Sequence, residues 1–355
     1  MTIEAVQINM IWLTSVLYKP QRRILQSSRC LYYNNKRYTL LRMVDSTATS
    51  QPYLTLNNGT KIPAIGLGTY LATEGDCKTV VREAILNHGY RNIDTAKVYE
   101  NEEPIGEALQ EVFAAGIKRE DVIVTTKLWH SDKLDIEGAL RTSLKKLQLD
   151  YIDLYLVHWM VPVMVWEDEN PIKGLPIHKV WAELERLVDA GLIKSIGVSN
   201  CAIPILVDIW SYARIKPVVN QVELHPYFVQ KDSVEFHKKL GVVVQAYAPL
   251  GSSTWSLRPE RFKDLNLLAE PVLVALAAKY GKSVGQIVLN WHLWRGHQVI
   301  PKTTKVARLA ENIQVWDFKL TEEEYESISG LNQDARFFNP KAFEFSGWNH
   351  LPYFE

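Results

Sequence analysis

Cysteine and net charge are both scarce in this chain of 355 residues. The three cysteines, Cys30, Cys77 and Cys201, show neither a Cys-x-x-Cys pair nor the spacing of a metal site. They therefore argue against a disulfide framework and a bound metal, and they are typical of a reducing compartment. The 40 basic residues equal the 40 acidic residues in number. This balance gives no reason to expect a nucleic acid or an acidic membrane as a partner.

Long hydrophobic runs and low-complexity tracts are also absent. The apolar stretch at residues 10–17 is too short to cross a bilayer, which takes about 20 residues. Hydrophobic residues nevertheless make up 47% of the chain, which is ample for a large core. We therefore expect a globular protein that does not span a membrane.

The first part of the chain differs in charge from the rest. Residues 1–42 contain seven Lys or Arg and a single acid, Glu4. This basic, acid-poor start is compatible with an organellar, mitochondrial transit segment, but Met43 opens a second possible beginning, which makes a passive extension equally compatible. We expect residues 1–50 to be an extension, targeting or disordered, and residues 51–355 to be the folded domain. The corresponding location is cytoplasmic, or organellar if residues 1–42 direct the chain there.

From Tyr53 onward the sequence alternates between strand-like and helix-like segments. An Asn-Gly turn at Asn58-Gly59 between alternating residues predicts a hairpin. Eight strand-helix units follow it, and eight such units predict a closed (β/α)8 TIM barrel. We expect the hairpin to close the bottom of this barrel. Gly191 is expected to cap the fourth helix. The predicted strands are residues 64–68, 92–94, 122–127, 152–158, 193–198, 218–222, 242–246 and 299–300. The predicted helices are 78–87, 104–115, 136–147, 178–190, 203–213, 233–240, 271–279, 284–294, 306–312 and 322–329.

Long segments follow the fourth, seventh and eighth strands, and the last is a tail over residues 331–355. Long loops on one face of a barrel are usually functional. A doubly wound sheet is the competing fold, and it needs a glycine-rich dinucleotide turn. The segment at residues 66–71, GLGTYL, lacks the third glycine, so this fingerprint fails.

Three polar side chains end consecutive predicted strands. Asp94, Lys127 and His158 follow the apolar runs of strands two, three and four, and Tyr99 lies five residues after Asp94. In a parallel barrel the carboxyl ends of all strands meet at one mouth. Each residue alone has an ordinary interpretation, as a helix cap, a solvated lysine, a core histidine or a packed tyrosine. All four together at the mouth indicate a catalytic group.

The four side chains suit the protonation of a carbonyl oxygen that accepts a hydride. Tyrosine is a weak acid, with a reference pKa of about 10. A nearby Lys127 is expected to lower the pKa of Tyr99, and Asp94 would orient Lys127 by an ion pair. His158 would donate to the same oxygen, giving an oxyanion-type site.

Five segments resemble the aldo-keto reductase family, in particular its aldehyde, aldose and xylose reductases. They are residues 89–102 (GYRNIDTAKVYENE), 127–129 (KLW), 197–200 (GVSN), 220–226 (NQVELHP) and 300–302 (IPK). The resemblance is colinear and covers about residues 53–330. It implies a barrel with Asp94, Tyr99, Lys127 and His158 as catalytic tetrad, Tyr99 as proton donor and NADPH bound in extended form. It also implies reduction of aldehydes or ketones, and a monomer is the commonest state in the family.

The resemblance also implies the positions that hold the cofactor. Tyr247 matches the tyrosine that stacks on nicotinamide, and Lys302 and Arg308 suit a ribose 2′-phosphate. Ser199, Asn200 and Gln221, at the ends of strands five and six, could hold the nicotinamide carboxamide. Leu250, Gly251 and Ser252 resemble the segment that approaches the pyrophosphate, and Glu311 and Asn312 resemble the adenine contacts. The remaining cofactor positions are Gly68, Thr69, Tyr70 and Thr303. Three positions depart from the common pattern: Thr303 stands for serine, Tyr70 for tryptophan and Lys305 for a small polar residue.

Aromatic residues are expected around the substrate. Tyr70, Trp129, His158 and Trp159 are the candidates on the barrel, and Trp166 and Trp255 on its loops. The tail offers Phe337, Phe338, Trp348, Tyr353 and Phe354. Aromatic walls favour an apolar carbonyl compound, although sugars also stack on them. One alternative is an enzyme of the same fold that uses NAD for alcohol or steroid-type oxidation, and Lys302 and Arg308 argue against it. The other is a nucleotide-sensing or structural partner subunit with little turnover; the intact tetrad argues against it, and only the basic N-terminal extension favours it.

Overall fold

The structure is a computed structural model that describes residues 51–161, 163–164, 172–252, 258–342 and 353–354. Residues 1–50 lie outside the described part of the chain, and so do Trp166, Trp255 and Trp348. The expectations for those residues stay predictions.

Eight parallel strands form the central sheet, and its ends join to close a barrel. The sheet runs in the order β3-β4-β5-β6-β9-β10-β11-β12. Gly66 N donates to Val299 O at 2.8 Å and Gly68 N donates to Pro301 O at 3.1 Å, so β3 is bonded to the segment that contains β12. This confirms the predicted (β/α)8 barrel. The barrel strands are β3 (Leu67–Gly68), β4 (Asn92–Asp94), β5 (Ile123–Leu128), β6 (Ile152–Val157), β9 (Ile193–Ser199), β10 (Val219–Glu223), β11 (Val243–Tyr247) and β12 (Gln298–Val299).

Two hairpins flank the barrel strands. The first pairs β1 (Tyr53–Thr55) with β2 (Lys61–Pro63), and the second pairs β7 (Val163–Met164) with β8 (Ile172–Lys173) in the long connection after β6. The first hairpin turns at Gly59, whose φ of 85° needs a residue without a side chain. Asn57 Nδ2 and Asn58 Nδ2 donate to Pro217 O and Ser195 Oγ, each at 2.9 Å, from beneath the barrel. The hairpin therefore closes the amino-terminal end of the strands, as predicted.

Helices cover the outside of the barrel, and most begin and end within two residues of the predicted positions. α1 begins four residues before the predicted start. Its first turn, Glu74-Gly75-Asp76, is polar and lies outside the predicted helix for that reason. Acidic residues are nevertheless favourable at the amino terminus of a helix. The helices are α1 (Glu74–His88), α2 (Glu102–Ala114), α3 (Ile136–Leu147), α4 (Ile177–Asp189), α5 (Ile203–Tyr212), α6 (Lys231–Leu240), α7 (Pro271–Tyr280), α8 (Val284–Trp294), α9 (Ala307–Ile313) and α10 (Glu322–Ser329).

The end of α4 differs in detail from the prediction. Ala190 is the C-cap, and Gly191 is the next residue, with φ of 76°. Glycine enters the left-handed conformation at low cost, so it reverses the chain just after the cap.

No single helix in the described segments is both long and apolar enough to span a bilayer; one bent pair, Glu260–Tyr280 with Val284–Trp294, reaches that length and composition only jointly, across a bend of 95°.

Two helical glycines give a matched test of packing. We expect Gly106→Ala in α2 to destabilise the fold by about 1–3 kcal/mol, because an added Cβ would overlap Lys146 O and lie 2.8 Å from the Leu147 carbonyl carbon. Gly75→Ala in α1 meets nothing within 4 Å and should stabilise the fold by up to about 1 kcal/mol. Urea unfolding of both variants measures the difference, and equal free energies of unfolding would contradict the close approach of α2 and α3.

Candidate active site

Three strand ends and the loop after one of them bring the predicted tetrad together at the mouth of the barrel. Asp94 is the last residue of β4, Lys127 lies in β5 and His158 follows β6 directly. Tyr99 ends a single helical turn, Lys97–Tyr99, in the loop after β4. Lys127 Nζ lies 2.7 Å from Asp94 Oδ1 and 3.3 Å from Tyr99 Oη. The rings of Tyr99 and His158 meet edge to face at 5.7 Å.

The ion pair between Lys127 and Asp94 is buried, and its polar atoms are satisfied. Lys127 Nζ donates to Asp94 Oδ1, to Thr95 O at 2.8 Å and to Tyr99 Oη, so its three donors have three acceptors. Gln221 Nε2 donates to Asp94 Oδ2 at 2.7 Å. Burial lowers the pKa of Lys127 and raises the pKa of Asp94, and each charge opposes the shift of the other. The pair thus has a fixed geometry.

The expectation that the pKa of Tyr99 is lowered is wrong for this site. Burial raises the pKa of Tyr99 well above its usual value, and the Asp94 carboxylate raises it further, as do Tyr70 and Tyr247. Loss of hydration disfavours the tyrosinate more than the Lys127 cation, itself paired with Asp94, favours it. Tyr99 is therefore a neutral phenol that holds its proton firmly.

His158 is a neutral imidazole. Burial lowers its pKa well below the usual value, and the neighbouring Lys127 and His130 lower it further. Trp129 meets its ring edge to face at 5.0 Å. Its Nδ1 is buried and has no hydrogen-bond partner among the described residues. A neutral imidazole carries one N–H, so His158 can donate one hydrogen bond without carrying a charge.

Three side-chain hydrogen bonds hold the loop that carries Tyr99. Thr69 Oγ1 donates to Asp94 O at 2.9 Å, and Asn101 Nδ2 donates to Thr69 O at 2.9 Å. Thr95 Oγ1 donates to Asn101 Oδ1 at 2.8 Å. Thr95 and Asn101 had no predicted role, although short polar side chains so close to Asp94 are a recognisable sequence signal for a hydrogen-bonded loop. Thr69, predicted as a cofactor position, supports the loop from inside.

The residues predicted to face the nicotinamide converge beside the tetrad. Ser199 Oγ donates to Gln221 O at 2.9 Å, and Asn200 Nδ2 donates to His158 O at 3.1 Å. Tyr247 Oη donates to Asn200 Oδ1 at 2.9 Å. Asn200 has φ of 52°, a left-handed conformation that asparagine tolerates better than most residues. The ends of β9, β10 and β11 thus present one hydrogen-bonded polar wall.

A second cluster lies at the ends of β11 and β12. Lys302 and Arg308 are exposed, and within the described segments neither lies within 4.0 Å of a carboxylate. Thr303 is buried, and its Oγ1 accepts from Lys305 N at 3.0 Å, which makes a turn before α9. Leu250 and Glu311 both lie next to Gly285, since a Cβ added to that glycine would be within 3.8 Å of each. Asn312 is buried in α9.

Arg258 was missed by the sequence analysis, and it holds the segment after β11. Its guanidinium donates to Gly251 O at 2.6 Å, Ser252 O at 2.8 Å and Leu265 O at 2.5 Å. Gly251 and Ser252 both have positive φ, 76° and 40°. A single basic residue in a long loop gives no sequence signal for this role. Arg258 therefore fixes the segment predicted to lie beside the cofactor pyrophosphate.

Aromatic rings border the mouth on two sides. Tyr70 lies 4.9 Å from Tyr99 between ring centroids, and Trp129 borders His158. Trp159 contacts Tyr353 at 5.7 Å and Phe354 at 6.2 Å, and these three rings belong to one cluster with Trp129. Phe338 meets Tyr247 edge to face at 5.3 Å. Most of the predicted aromatic residues thus lie at the mouth.

Among the predicted aromatic residues that the structure describes, Phe337 is the exception, because it lies in the core and not over the mouth. It is 1% exposed and stacks on His225, with ring centroids 4.6 Å apart. Its backbone N donates to the buried Glu223 carboxylate at 2.7 Å, and Phe338 N donates to the same carboxylate at 2.9 Å. This anchor draws Phe337 into the core and leaves Phe338 beside Tyr247.

The polar wall at the ends of β9, β10 and β11 and the basic cluster of Lys302 and Arg308 fit an elongated anionic cofactor. The polar wall of Ser199, Asn200 and Gln221 offers amide and hydroxyl groups beside the tetrad, which suit a carboxamide. Lys302 and Arg308, which pair with no carboxylate in the described part of the chain, offer cationic donors at the far end, which suit a phosphate. No group of three or more His, Cys, Asp or Glu among the described residues is placed to hold a metal.

Comparison with known proteins agrees with this geometry. The model of the aldo/keto reductase family matches residues 64–333. Aldo-keto reductase family 1 member A1 of Xenopus tropicalis is 44% identical over 308 residues, which cover 82% of this chain and 92% of that protein. Aldose reductase C of Dictyostelium discoideum is 39% identical over 309 residues, 81% of this chain and 92% of that protein. NADP-dependent D-sorbitol-6-phosphate dehydrogenase of Malus domestica is 39% identical over 296 residues, 80% of this chain and 94% of that protein.

The buried ion pair gives a stability test. We expect Lys127→Met to lower the free energy of unfolding by about 3–5 kcal/mol, because Asp94 would stay buried without its cation. Adding Asp94→Asn should recover part of that loss. Lys78→Met, which removes an exposed lysine 2.7 Å from Glu107, should change little. Urea unfolding of the variants measures these effects, and equal losses for the two lysine variants would contradict a buried, charged pair.

Proposed function

The chain belongs to the aldo/keto reductase family, and we propose that it reduces aldehydes or ketones to alcohols with NADPH, with Tyr99 as the proton donor. Members of this family are oxidoreductases that use a nicotinamide cofactor, and NADPH, when bound, supplies the hydride. The assignment of catalytic residues rests on one observation: the buried Lys127 ammonium contacts both the Asp94 carboxylate and the Tyr99 hydroxyl group. Lys127 Nζ lies 2.7 Å from Asp94 and 3.3 Å from Tyr99 Oη.

Tyr99 is suited to give up its proton only when an alkoxide forms beside it. Its raised pKa keeps it protonated in the resting site, so a proton is available at any working pH. Once the proton has left, the Lys127 ammonium is 3.3 Å from the tyrosinate oxygen and stabilises its charge. Lys127 thus acts on the product of proton transfer rather than on the resting acid.

His158 orients the carbonyl group. As a neutral imidazole it donates a hydrogen bond to the substrate oxygen without repelling Lys127. Together Tyr99 and His158 would fix the oxygen from two directions, which is the geometry of an oxyanion site. Tyr70, Trp129 and Trp159 would cover the rest of an apolar substrate.

The choice of NADPH over NADH rests on Lys302 and Arg308. Both are exposed cations without carboxylate partners among the described residues, and a guanidinium can bind a phosphate through two parallel hydrogen bonds. Thr303, Glu311 and Asn312 would contact the adenosine end, and Leu250 and Ser252 the pyrophosphate. Gly68, Thr69 and Tyr70 would lie beside the nicotinamide ribose, and Tyr247 under the ring.

The chain is proposed to act as a monomer, since that is the family's commonest state. We place it in the cytoplasm, with an organelle as the alternative because residues 1–42 are basic.

Tyr99→Phe tests the proton donor. We expect kcat for aldehyde reduction to fall by at least about 100-fold, because the phenyl ring has no proton to give. NADPH binding, followed by quenching of protein fluorescence, should be unchanged because the ring keeps its shape. Tyr53→Phe, on the hairpin beneath the barrel, is the control and should keep full activity. Near-normal turnover in Tyr99→Phe would rule out the assignment.

Arg308→Ala tests the phosphate site. We expect the Kd for NADPH to rise about 10- to 100-fold, as for the loss of a charge-assisted hydrogen bond. The Kd for NADH should change less than about threefold, since NADH has no 2′-phosphate. Lys319→Ala removes an equal charge from an exposed position outside the site and controls for general electrostatics. Equal weakening of both cofactors in Arg308→Ala would remove the proposed role.

A further inference from the structure

Three glutamines lie side by side inside the barrel. Gln221 in β10, Gln245 in β11 and Gln298 in β12 are register partners on neighbouring parallel strands. Their side chains are 2%, 0% and 0% exposed. An amide buried without hydrogen bonds costs about 2–7 kcal/mol, so a row of three must be internally bonded.

The three amides form one hydrogen-bonded chain that runs from the tetrad to the hairpin. Gln221 Nε2 donates to Asp94 Oδ2 and also to Gln245 Oε1. Gln245 Nε2 donates to Gln298 Oε1 at 2.8 Å, and Gln298 Nε2 donates to Pro63 O at 2.8 Å. Each amide thus donates to the next group on the side of Pro63, and Gln221 donates in addition to Asp94 on the other side.

The direction of the chain is fixed at both ends. The Asp94 carboxylate can only accept, so Gln221 turns its NH₂ group toward it. Pro63 O is a backbone carbonyl and can only accept, so Gln298 must turn its NH₂ toward it. Gln298 Oε1 then has to accept from Gln245, and Gln245 Oε1 has to accept from Gln221. A reversed amide at any point would place two NH₂ groups, or two oxygens, against each other in a buried site.

Gln221 thus has no freedom to reverse its amide. Its two N–H groups are held by Asp94 and Gln245. Its Oε1 accepts no hydrogen bond from the described residues, whose bonds to the Gln221 amide are both made through Nε2. This oxygen belongs to the polar wall beside the tetrad, where a nicotinamide carboxamide would present an N–H.

We propose that Gln245 and Gln298 are positioning residues that, anchored on Pro63 O, hold Gln221 with its Oε1 as the acceptor for the carboxamide N–H of the cofactor. This inference rests on the proposed function, because it needs a nicotinamide beside Gln221. It adds a role for two residues that lie one and two strands away from the cofactor contact itself.

Binding of two cofactors that differ only in the carboxamide tests the proposal. In the 3-acetylpyridine analogue of NADP⁺ a methyl group replaces the NH₂ group, so it offers Gln221 no donor. We expect the wild-type protein to bind NADP⁺ about tenfold more tightly than the analogue, in line with one hydrogen bond to a fixed acceptor. In Gln245→Met the Kd for NADP⁺ should rise about tenfold and the Kd for the analogue less than twofold, so the discrimination disappears. Gln298→Met should act in the same direction.

The control is Thr125→Val, which replaces a buried β5 hydroxyl that has no hydrogen-bond partner among the described residues. It should retain the discrimination. Equal weakening of both cofactors in Gln245→Met, or discrimination at the wild-type level in that folded variant, would overturn the proposal. So would a wild-type protein that binds both cofactors equally.

Gln245→Glu is the conservative variant and separates positioning from packing. Its carboxyl group can accept from Gln221 Nε2 whether or not it carries a proton, so Gln221 keeps its orientation. We expect this variant to retain the discrimination between the cofactors, whereas Gln245→Met loses it. Loss of the discrimination in folded Gln245→Glu would contradict the proposal, and Gln298→Met decides the question if Gln245→Met does not fold. Failure of the wild-type protein to bind NADP⁺ or to reduce any carbonyl would instead refute the proposed function.

Discussion

The ion pair of Lys127 and Asp94 is the constraint on which the geometry of the barrel mouth depends. Both side chains are buried, at 0% and 2% exposure, and removal of two charges from water costs several kcal/mol per ion. Such a pair persists only when its geometry is good and its remaining donors and acceptors are used. Thr95 O and Gln221 Nε2 use two of them, and Tyr99 Oη accepts the last donor of Lys127. Tyr99 therefore lies where its hydroxyl oxygen can accept the remaining hydrogen bond of the Lys127 ammonium group.

The barrel explains how four residues distant in sequence reach this arrangement, and it is the part that the sequence predicts best. Alternating strands and helices determine the parallel sheet, and parallel strands end at one mouth. Asp94, Lys127 and His158 each end an apolar run, so their convergence follows from that topology alone. Closure between β3 and β12 required only eight units of the right length. The Asn-Gly turn likewise predicted the hairpin that seals the opposite end.

Other features of the site depend on contacts that no local pattern encodes. Arg258 supports Gly251 and Ser252 through carbonyl groups, and any basic residue in that loop would look the same in sequence. Phe337 is drawn into the core by Glu223, more than 100 residues away. The chain of glutamines depends on the register of β10, β11 and β12, which separate segments of the sequence set together. Local periodicity shows which residues are inside, whereas these side-chain partners are decided by register and packing.

The pKa of Tyr99 shows how the same burial serves two purposes. A single lysine beside a tyrosine suggests a lowered pKa, but the site also excludes water and places Asp94 and two further tyrosines nearby. Desolvation makes the tyrosinate costly, and it also strengthens the attraction of Lys127 for that tyrosinate once it forms. Reduction starts from the phenol, which burial favours, whereas oxidation of an alcohol needs the tyrosinate first. The two directions therefore make opposite demands on one buried proton, and the surroundings of Tyr99 favour its donation to a developing alkoxide over its prior loss to water.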